Sequence, residues 1–410
     1  MPFQHERLDN GLDVIAETSD CAVSASVGFF VLTGARDESD DLWGASHFLE
    51  HMVFKGTPEI SGDDINRRFD AMGATVNAFT SEEDTVYYAS VLPERQDEAV
   101  ELLARMMRPA LRTEDFETEK LVILEEIRMY DDQPPFGADD RCRAAFFGRH
   151  PLARSVLGSV DSIRGLPVDA MRDYHRRRYA PGTMVLAASG AVDFTALVAA
   201  ARRLCDDWEP VPTPERIVPA APRAAVRPGI DRIVRPAAAL GYAVSMVAGP
   251  GEHDPDRHAA RLLAILLGDS SGSRLYWDLV DTGEAEQAAC IHEDFLDAGL
   301  FVTQLSCDPD DVAALTARIA DIYAAAPVDI TPEEFERARN KLASRVVLGG
   351  ERPRRRLFEV GLDWAHTRIH RSVADTLHIV ESLSLDDVRR VLAAWPLDAP
   401  AATVIAGPAA

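Results

Sequence analysis

The sequence predicts an α+β protein made of two similar domains. Strand-like runs of β-branched and aromatic residues alternate with amphipathic helical segments, which is the pattern of sheets packed against helices. A Pro-rich stretch near the middle of the 410-residue chain, residues 211–229, has the composition of a linker. Segments on its two sides resemble each other. We therefore expect two homologous domains, residues 1–210 and 230–410, that arose by duplication.

The elements of the first domain follow one another clearly. A β-branched and aromatic strand ends in a glycine turn, and a short helix opens with small residues and closes on Gly56 before a proline. Two strands joined by the acidic turn SEED predict a hairpin. In chain order, the pattern predicts a strand within 22–35, a short helix at 44–56, a helix at 63–72, strands at 74–80 and 85–92, and amphipathic helices at 93–109 and 113–132.

The second half repeats part of this pattern. LPVDAMRDY at residues 166–174 resembles LSLDDVRRV at 383–391 with an offset of 217, and each is followed by a strand that ends in glycine. TEDFETEK, beginning at Thr113, resembles PEEFERAR, beginning at Pro332, with an offset of 219. Amphipathic helices can match by chance. Two matches at nearly the same offset nevertheless favour a duplication.

The composition excludes several classes of partner. A formal net charge of −24 repels nucleic-acid phosphates and anionic lipids. The five cysteines occur singly, without CxxC pairs, so we expect neither a disulfide framework nor a thiolate zinc site. The amino terminus lacks the features of a signal peptide, and no uncharged stretch reaches the roughly 18 residues of a membrane span. We expect a globular, cytoplasmic protein with no nucleic-acid or membrane partner.

The segment WGASHFLEHMVFKGT carries the strongest chemical signal. On a helix, His47 and His51 lie one above the other, so both imidazoles can be directed at one metal ion. Zinc held there would lower the pKa of a bound water towards 7, and Glu50 on the same surface is placed to take its proton and pass it to a leaving amine. Histidine pairs on helices are also often merely solvent-facing, so this motif alone does not establish a metal site.

A third ligand is expected in EKLVILEEIRMY. Catalytic zinc uses three protein ligands and leaves its fourth position open. Glu119 and Glu126 are seven residues apart, or two helical turns, and so face the same way, whereas Glu125 points to the side. One carboxylate is suited to bind the metal and the other to hold a histidine. Taken alone, these acidic residues are more typical of a solvated helix face, so the metal site depends on the combination.

That combination resembles the inverted-motif zinc peptidases, the family of pitrilysin, insulin-degrading enzyme and mitochondrial processing peptidase. The resemblance is carried by GARDESDDLWGASHFLEHMVFKGT, ATVNAFTSEEDTVYYASVLP and EKLVILEEIRMYDDQP, and it continues into the second half at SGSRLY and DAGLF. The length suits the short, two-domain bacterial members. The resemblance implies two similar domains, each a mainly antiparallel sheet covered by helices, of which only the first binds metal.

The resemblance also implies the role of each site residue. It makes His47, His51 and Glu126 the ligands of Zn²⁺ and Glu50 the general base, with Glu119 as the carboxylate that supports the ligands. These enzymes hold a peptide substrate as an added β-strand in a closed chamber.

The same resemblance makes VNAFT the edge strand that binds the substrate. Asn77 and Ala78 would then contact the peptide near the bond that is cut. From the residues alone this segment is only an alternating strand, and Asn77 is only a polar strand residue.

One departure concerns the second domain. Family members carry an Arg and a Tyr, seven residues apart, that bind the substrate carbonyl opposite the zinc, and the matching positions here are Val280 and Gln287. Neither residue can stabilise the oxyanion in that way. In two-domain members the zinc domain of one subunit faces the second domain of another, so a homologous partner subunit is expected to supply the missing pair. Arg274 and Tyr276 are better explained by packing and helix capping than as replacements.

Three functions are compatible with these residues. The leading hypothesis is a zinc-dependent endopeptidase that forms the catalytic half of a heterodimer. A non-catalytic structural or scaffold subunit and a zinc-binding peptide adaptor are the alternatives, because Val280 and Gln287 leave the carbonyl unsupported.

Overall fold

The computed structural model describes residues 1–212, 216 and 229–408. Most of the predicted linker, residues 213–215 and 217–228, lies outside these described residues. Within the linker, Arg216 donates two hydrogen bonds to Asp37, at 2.9 and 2.6 Å. This bidentate ion pair fixes one point of the predicted linker.

The described strands form two sheets. They are β1 Phe3–Arg7, β2 Asp13–Thr18, β3 Ala25–Val31, β4 Thr75–Thr80, β5 Thr85–Val91, β6 Met184–Gly190, β7 Gly229–Val234, β8 Gly241–Gly249, β9 Ala285–Asp294, β10 Gly299–Cys307 and β11 Ala402–Gly407. The strand order is β1-β2-β6-β3-β5-β4 in the first sheet and β7-β11-β8-β10-β9 in the second.

The two sheets have the same connectivity. Without β1, the first strand of each set lies parallel to the last, and all other neighbours in the sheet are antiparallel. The spatial order of strands β2 to β6 is reproduced by strands β7 to β11. This repeat confirms the predicted α+β class with two similar, mainly antiparallel domains.

Helices cover both sheets. They are α1 Ala45–Val53, α2 Gly62–Ala71, α3 Gln96–Met106, α4 Thr113–Asp132, α5 Ala138–Phe147, α6 Val160–Gly165, α7 Val168–Arg178, α8 Phe194–Cys205, α9 Arg257–Gly268, α10 Val312–Asp329, α11 Pro332–Gly350, α12 Pro353–Thr367, α13 Val373–Ser382 and α14 Leu385–Ala394. Each element predicted for the first domain is observed, with ends that differ by a few residues. In the part of the chain that the structure describes, no helix is long and apolar enough to cross a bilayer.

The chain divides into two compact units that are not continuous in sequence. Unit 1 comprises Met1–Ile127, Ser155–Ile217 and Val347–Ala374, and unit 2 comprises Arg128–Arg154, Val218–Val346 and Asp375–Ala410. Helix α12 packs on β3 and β6 of unit 1, whereas α5 packs on β8 and β11 of unit 2. Each half of the sequence thus gives one helix to the other unit. The sequence predicted two continuous domains separated at residues 211–229, without this exchange of helices. That division stays a prediction.

In unit 1, apolar side chains pack on both faces of the sheet. On one face, the ring of Phe48 from α1 stacks on that of Phe116 from α4, with centroids 4.6 Å apart. On the other face, Phe358 of α12 contacts Phe30 and Tyr88. Two-sided burial explains why β3 reads as a nearly continuous apolar run. It also makes the sheet a rigid support for α1.

Candidate metal centre

A buried carboxylate fixes the start of α1. Glu38 accepts hydrogen bonds from the backbone amides of Gly44 and Ser46, both at 2.7 Å. These amides belong to the helix start, which has no intrahelical partner for them, and the negative charge complements the helix dipole. Gly44 has a φ of 91°, a conformation that favours glycine. The hydroxyl of Tyr174, at 2.7 Å from Ser46 Oγ, adds a second anchor.

Three side chains predicted as ligands converge in unit 1. One potential ligand atom from each of His47, His51 and Glu126 lies within 4.8 Å of the others. Glu126 Oε2 is 3.8 Å from His47 Nε2 and 3.6 Å from His51 Nε2. A tetrahedral zinc ion with bonds of 2.0–2.1 Å would separate its ligand atoms by about 3.3 Å. Two imidazoles and a carboxylate at this spacing therefore fit a zinc ion after small side-chain movements.

Burial keeps His47 neutral. Its side chain is only 10% exposed, against 33% for Glu126, so the cluster opens towards solvent at the carboxylate. Burial, together with the nearby His51, lowers the pKa of His47 to about 4. The Nδ1 atom of His47 is buried and has no hydrogen-bond partner among the described residues. Neutral imidazole is the form that binds metal, so His47 is ready to act as a ligand at neutral pH.

A hydrogen bond sets the tautomer of His51. Its Nδ1–H donates to Glu119 Oε1 at 2.9 Å, which leaves the Nε2 lone pair directed to the side of Glu126. Burial would lower the pKa of His51, but the bond to Glu119 and the charges of nearby carboxylates raise it. Glu119 thus contacts a histidine of the cluster, and the supporting role that the family resemblance implies for it stays a prediction.

Lys55 completes this arrangement. Its Nζ lies 2.5 Å from Glu119 Oε2, so the two oxygens of Glu119 contact different cationic or donor groups. Burial would raise the pKa of Glu119, but the hydrogen bonds from His51 and Lys55 lower it. Glu119 therefore stays ionised and holds the His51 ring in one orientation.

Glu50 lies beside the cluster and contacts the end of the hairpin. Its Oε2 accepts a hydrogen bond from the Thr80 hydroxyl at 2.5 Å. Burial raises the pKa of Glu50, and the bond from Thr80 opposes that shift. A carboxylate whose pKa is raised by burial is a stronger proton acceptor than an exposed one. The geometry is thus compatible with the predicted general base.

Strand β4 is the end strand of the first sheet as the described strands order it. It pairs with β5 on one side, with Asn77 opposite Tyr88 and Ala78 opposite Tyr87. The side chain of Asn77 is exposed, and its Oδ1 accepts a hydrogen bond from the Ala78 amide at 2.9 Å. The predicted substrate residues thus lie on an edge strand. Their contacts with a peptide stay a prediction.

The two departures from the family pattern lie in unit 2. Val280 ends a π-helical turn, Tyr276–Val280, and is half-buried against the apolar core. Gln287 lies exposed in β9, opposite Ser306. Arg274 donates two hydrogen bonds to Glu334, both at 2.9 Å.

The contacts of Arg274 and Tyr276 are compatible with the structural role expected for both residues. Tyr276 lies 3.5 Å from Asp281 through its hydroxyl. Both side chains thus contact neighbouring acidic residues of unit 2.

Two contacts of the site were not found from the sequence. Lys55 is four residues after His51, a spacing that hinted at a shared helix face, although α1 ends at Val53. Thr80 is on the same strand face as Ala78, but only the fold brings this strand end to Glu50.

Comparison with known proteins places these features in a family. The profile of the insulinase family, Peptidase family M16, matches residues 13–160, and that of the Peptidase M16 inactive domain matches residues 165–342. An "uncharacterized zinc protease" of Mycobacterium tuberculosis is 35% identical over 94% of this chain and 88% of its own length. A probable mitochondrial-processing peptidase subunit beta of Arabidopsis thaliana is 29% identical over 83% of this chain and 66% of its own length.

Solved structures share the fold. A protease from Helicobacter pylori superposes with a TM-score of 0.92 over 99% of this chain and 100% of its own, at 21% identity. An M16-like peptidase from Alicyclobacillus acidocaldarius superposes with a TM-score of 0.87 over 100% of this chain and 99% of its own, at 24% identity. At these identities the likeness describes the fold alone.

Proposed function

This chain belongs to peptidase family M16, and from that membership we propose that it is a zinc-dependent endopeptidase subunit that cuts peptides. The observation that carries the proposal is the convergence of His47, His51 and Glu126 beside Glu50 in unit 1. Zinc is the cofactor, as the names of the zinc protease relatives indicate. The proposed ligands are the two histidines and Glu126.

The proposed mechanism uses few side chains. Zinc bound at this site would act as a Lewis acid and would lower the pKa of water towards 7. Glu50 accepts a proton from the attacking water and returns it to the leaving amine. Glu119 and Lys55 keep His51 in its metal-binding tautomer through the contacts described above.

Peptide binding is proposed at β4. An extended peptide adds to the open edge of the sheet through main-chain hydrogen bonds, with Asn77 and Ala78 close to the bond that is cut. The Ala78 amide donates to Asn77 Oδ1, so a peptide carbonyl that binds this amide would have to replace the Asn77 side chain. The closed chamber is part of this proposal and is taken from the family resemblance.

A homologous partner subunit is proposed for the other side of the substrate. Val280 cannot donate a hydrogen bond from its side chain, and Gln287 has no phenol, so the oxyanion lacks the Arg and Tyr of other members. We propose that residues 1–210 bind the metal and residues 230–410 form the metal-free homologous domain, with a partner that supplies the missing pair. The cytoplasmic location expected from the sequence also stays a prediction.

Metal analysis and a cleavage assay test this function against its alternatives. We expect about one zinc per chain, and its loss in His51→Ala and Glu126→Gln, because a tetrahedral centre with an open position needs three ligands. Glu50→Gln should keep the zinc and the fold but reduce hydrolysis by roughly 10²- to 10⁴-fold. A scaffold subunit would bind no zinc, and an adaptor would bind zinc and peptide without cleavage even beside a homologous partner. Undiminished hydrolysis by Glu50→Gln would contradict the general-base role.

A further inference from the structure

The hydrogen bond from Thr80 to Glu50 is short. At 2.5 Å, it lies in the range of charge-assisted bonds between a hydroxyl and a carboxylate. A threonine hydroxyl has only one hydrogen to donate, and here that hydrogen goes to Glu50 Oε2. The other carboxylate oxygen, Oε1, accepts no hydrogen bond from any described residue. The two oxygens of Glu50 are therefore not equivalent.

The backbone holds Thr80 in place. Thr80 is the last residue of β4 and pairs with Thr85 of β5. In the turn that follows, Ser81 Oγ accepts hydrogen bonds from the amides of Glu83 and Asp84, at 3.2 and 3.0 Å. The Ser81 carbonyl accepts a further bond from the Ala35 amide at 3.1 Å. The Thr80 hydroxyl is thus presented from a fixed strand end and not from a free loop.

We propose that Thr80 is a positioning residue for Glu50. By donating to Oε2, it holds the carboxylate in one orientation and leaves Oε1 as the oxygen that takes the proton from water. This inference rests on the proposed general-base role of Glu50. A carboxylate that can rotate would lose the defined distance to water that proton transfer requires.

Substitutions at Thr80 separate the hydroxyl from the methyl group. Valine keeps the branched shape and removes the donor, serine keeps the donor and removes the methyl group, and alanine removes both. With the zinc-loaded enzyme and its partner subunit, Thr80→Val should lower kcat for a fluorogenic peptide about 10- to 100-fold. KM should stay within about twofold, since the lost contact does not bind substrate. Thr80→Ser should retain kcat within about threefold, and Thr80→Ala should resemble the valine variant.

A matched control removes a different threonine hydroxyl. Thr367 is also half-buried, and its Oγ1 donates to the Asp363 carbonyl at 2.6 Å. Thr367→Val should leave kcat and KM unchanged. Zinc content measured for each variant should equal that of the wild type, because Thr80 contacts none of the three proposed ligands through its hydroxyl.

A crystallographic readout makes the test independent of hydrolysis. In the zinc-free wild type the Glu50 carboxylate should have one orientation, as should Thr80→Ser, whereas in Thr80→Val it should move or occupy several. An unchanged carboxylate in Thr80→Val would overturn the proposal, as would equal kcat values for the serine and alanine variants. If the wild type and Glu50→Gln are equally inactive with zinc and partner present, the proposed general-base role of Glu50 is wrong. The orientation of the Glu50 carboxylate in the crystal structures then still shows whether Thr80 positions it.

Discussion

Replacing Glu119 by glutamine should weaken zinc binding without removing any ligand. Glu119 Oε1 accepts from the His51 Nδ1–H at 2.9 Å, and Oε2 lies 2.5 Å from the Lys55 ammonium. Glutamine has one acceptor oxygen, so whichever way it turns, its NH₂ group faces a donor. One of the two charge-assisted contacts therefore becomes repulsive, and the His51 ring is held less firmly in its metal-binding tautomer. Loss of such a supporting partner typically costs 10- to 100-fold in metal affinity, or roughly 1.4–2.7 kcal/mol.

The assay is the zinc dissociation constant, measured by competition with a chelator at pH 7.5. Glu117→Gln is the matched control, because Glu117 lies on the same helix, is exposed, and pairs only loosely with Lys120 at 3.7 Å. We expect Glu119→Gln to bind zinc about 10- to 100-fold more weakly than the control. Dissociation constants that agree within twofold for the two variants would refute the supporting role of Glu119. Circular dichroism of both variants would show whether the fold is retained.

Two further predictions concern the partner and the pH dependence. Steady-state cleavage by this chain alone should be at least 10²- to 10³-fold slower than by an equimolar mixture with a homologous subunit that carries the Arg and Tyr; equal rates would exclude the heterodimer. Burial, with the nearby charge of Arg108, lowers the pKa of His175 to about 4 from a usual 6.5. Between these two pH values only the unfolded state binds a proton at this histidine, so the stability that neutral His175 contributes is complete above pH 6.5 and is lost as the pH falls towards 4. The unfolding free energy of His175→Gln should therefore fall about 3 kcal/mol less over this range than that of the wild type.

Much of the fold was predictable because local patterns and tertiary packing agree. Strand β4 and the helices α1 and α4 carry alternating or amphipathic patterns, whereas β5 is a mainly apolar run that is buried on both faces. The repeat at offsets of 217 and 219 predicted two similar domains, and the two sheets have the same connectivity. The exchange of α5 and α12 was not predictable, because an amphipathic helix shows which of its faces is buried but not which sheet covers that face.

The candidate site, too, was only partly predictable from the sequence. The i, i+4 spacing of His47 and His51 is a local property, and in the structure both side chains lie beside Glu126, the third ligand that the family resemblance implies. Thr80 contacts Glu50, and Lys55 contacts Glu119, each at 2.5 Å, and the two partners in each contact are far apart in the sequence. The spacing of Lys55 from His51 is a weak signal, but both residue types are common on strands and near helix ends, so the sequence does not separate them from surface residues. Only the packing of the hairpin against α1 identifies Thr80.

The second half of the chain has other residues at the positions that match the two glutamates of the candidate site. At the offset of 219, Glu119 and Glu126 correspond to Ala338, which is buried in the core of unit 2, and Arg345. Arg345 donates to both oxygens of Asp269 at 2.7 and 2.8 Å, and Lys341 Nζ lies 2.9 Å from the same carboxylate. Burial would raise the pKa of Asp269, but these bonds lower it. In unit 2 the side chains of Arg345 and Lys341 thus neutralise the Asp269 carboxylate. In unit 1 a bound cation would neutralise Glu126. For this reason about one zinc per chain, and not two, is the stoichiometry we expect.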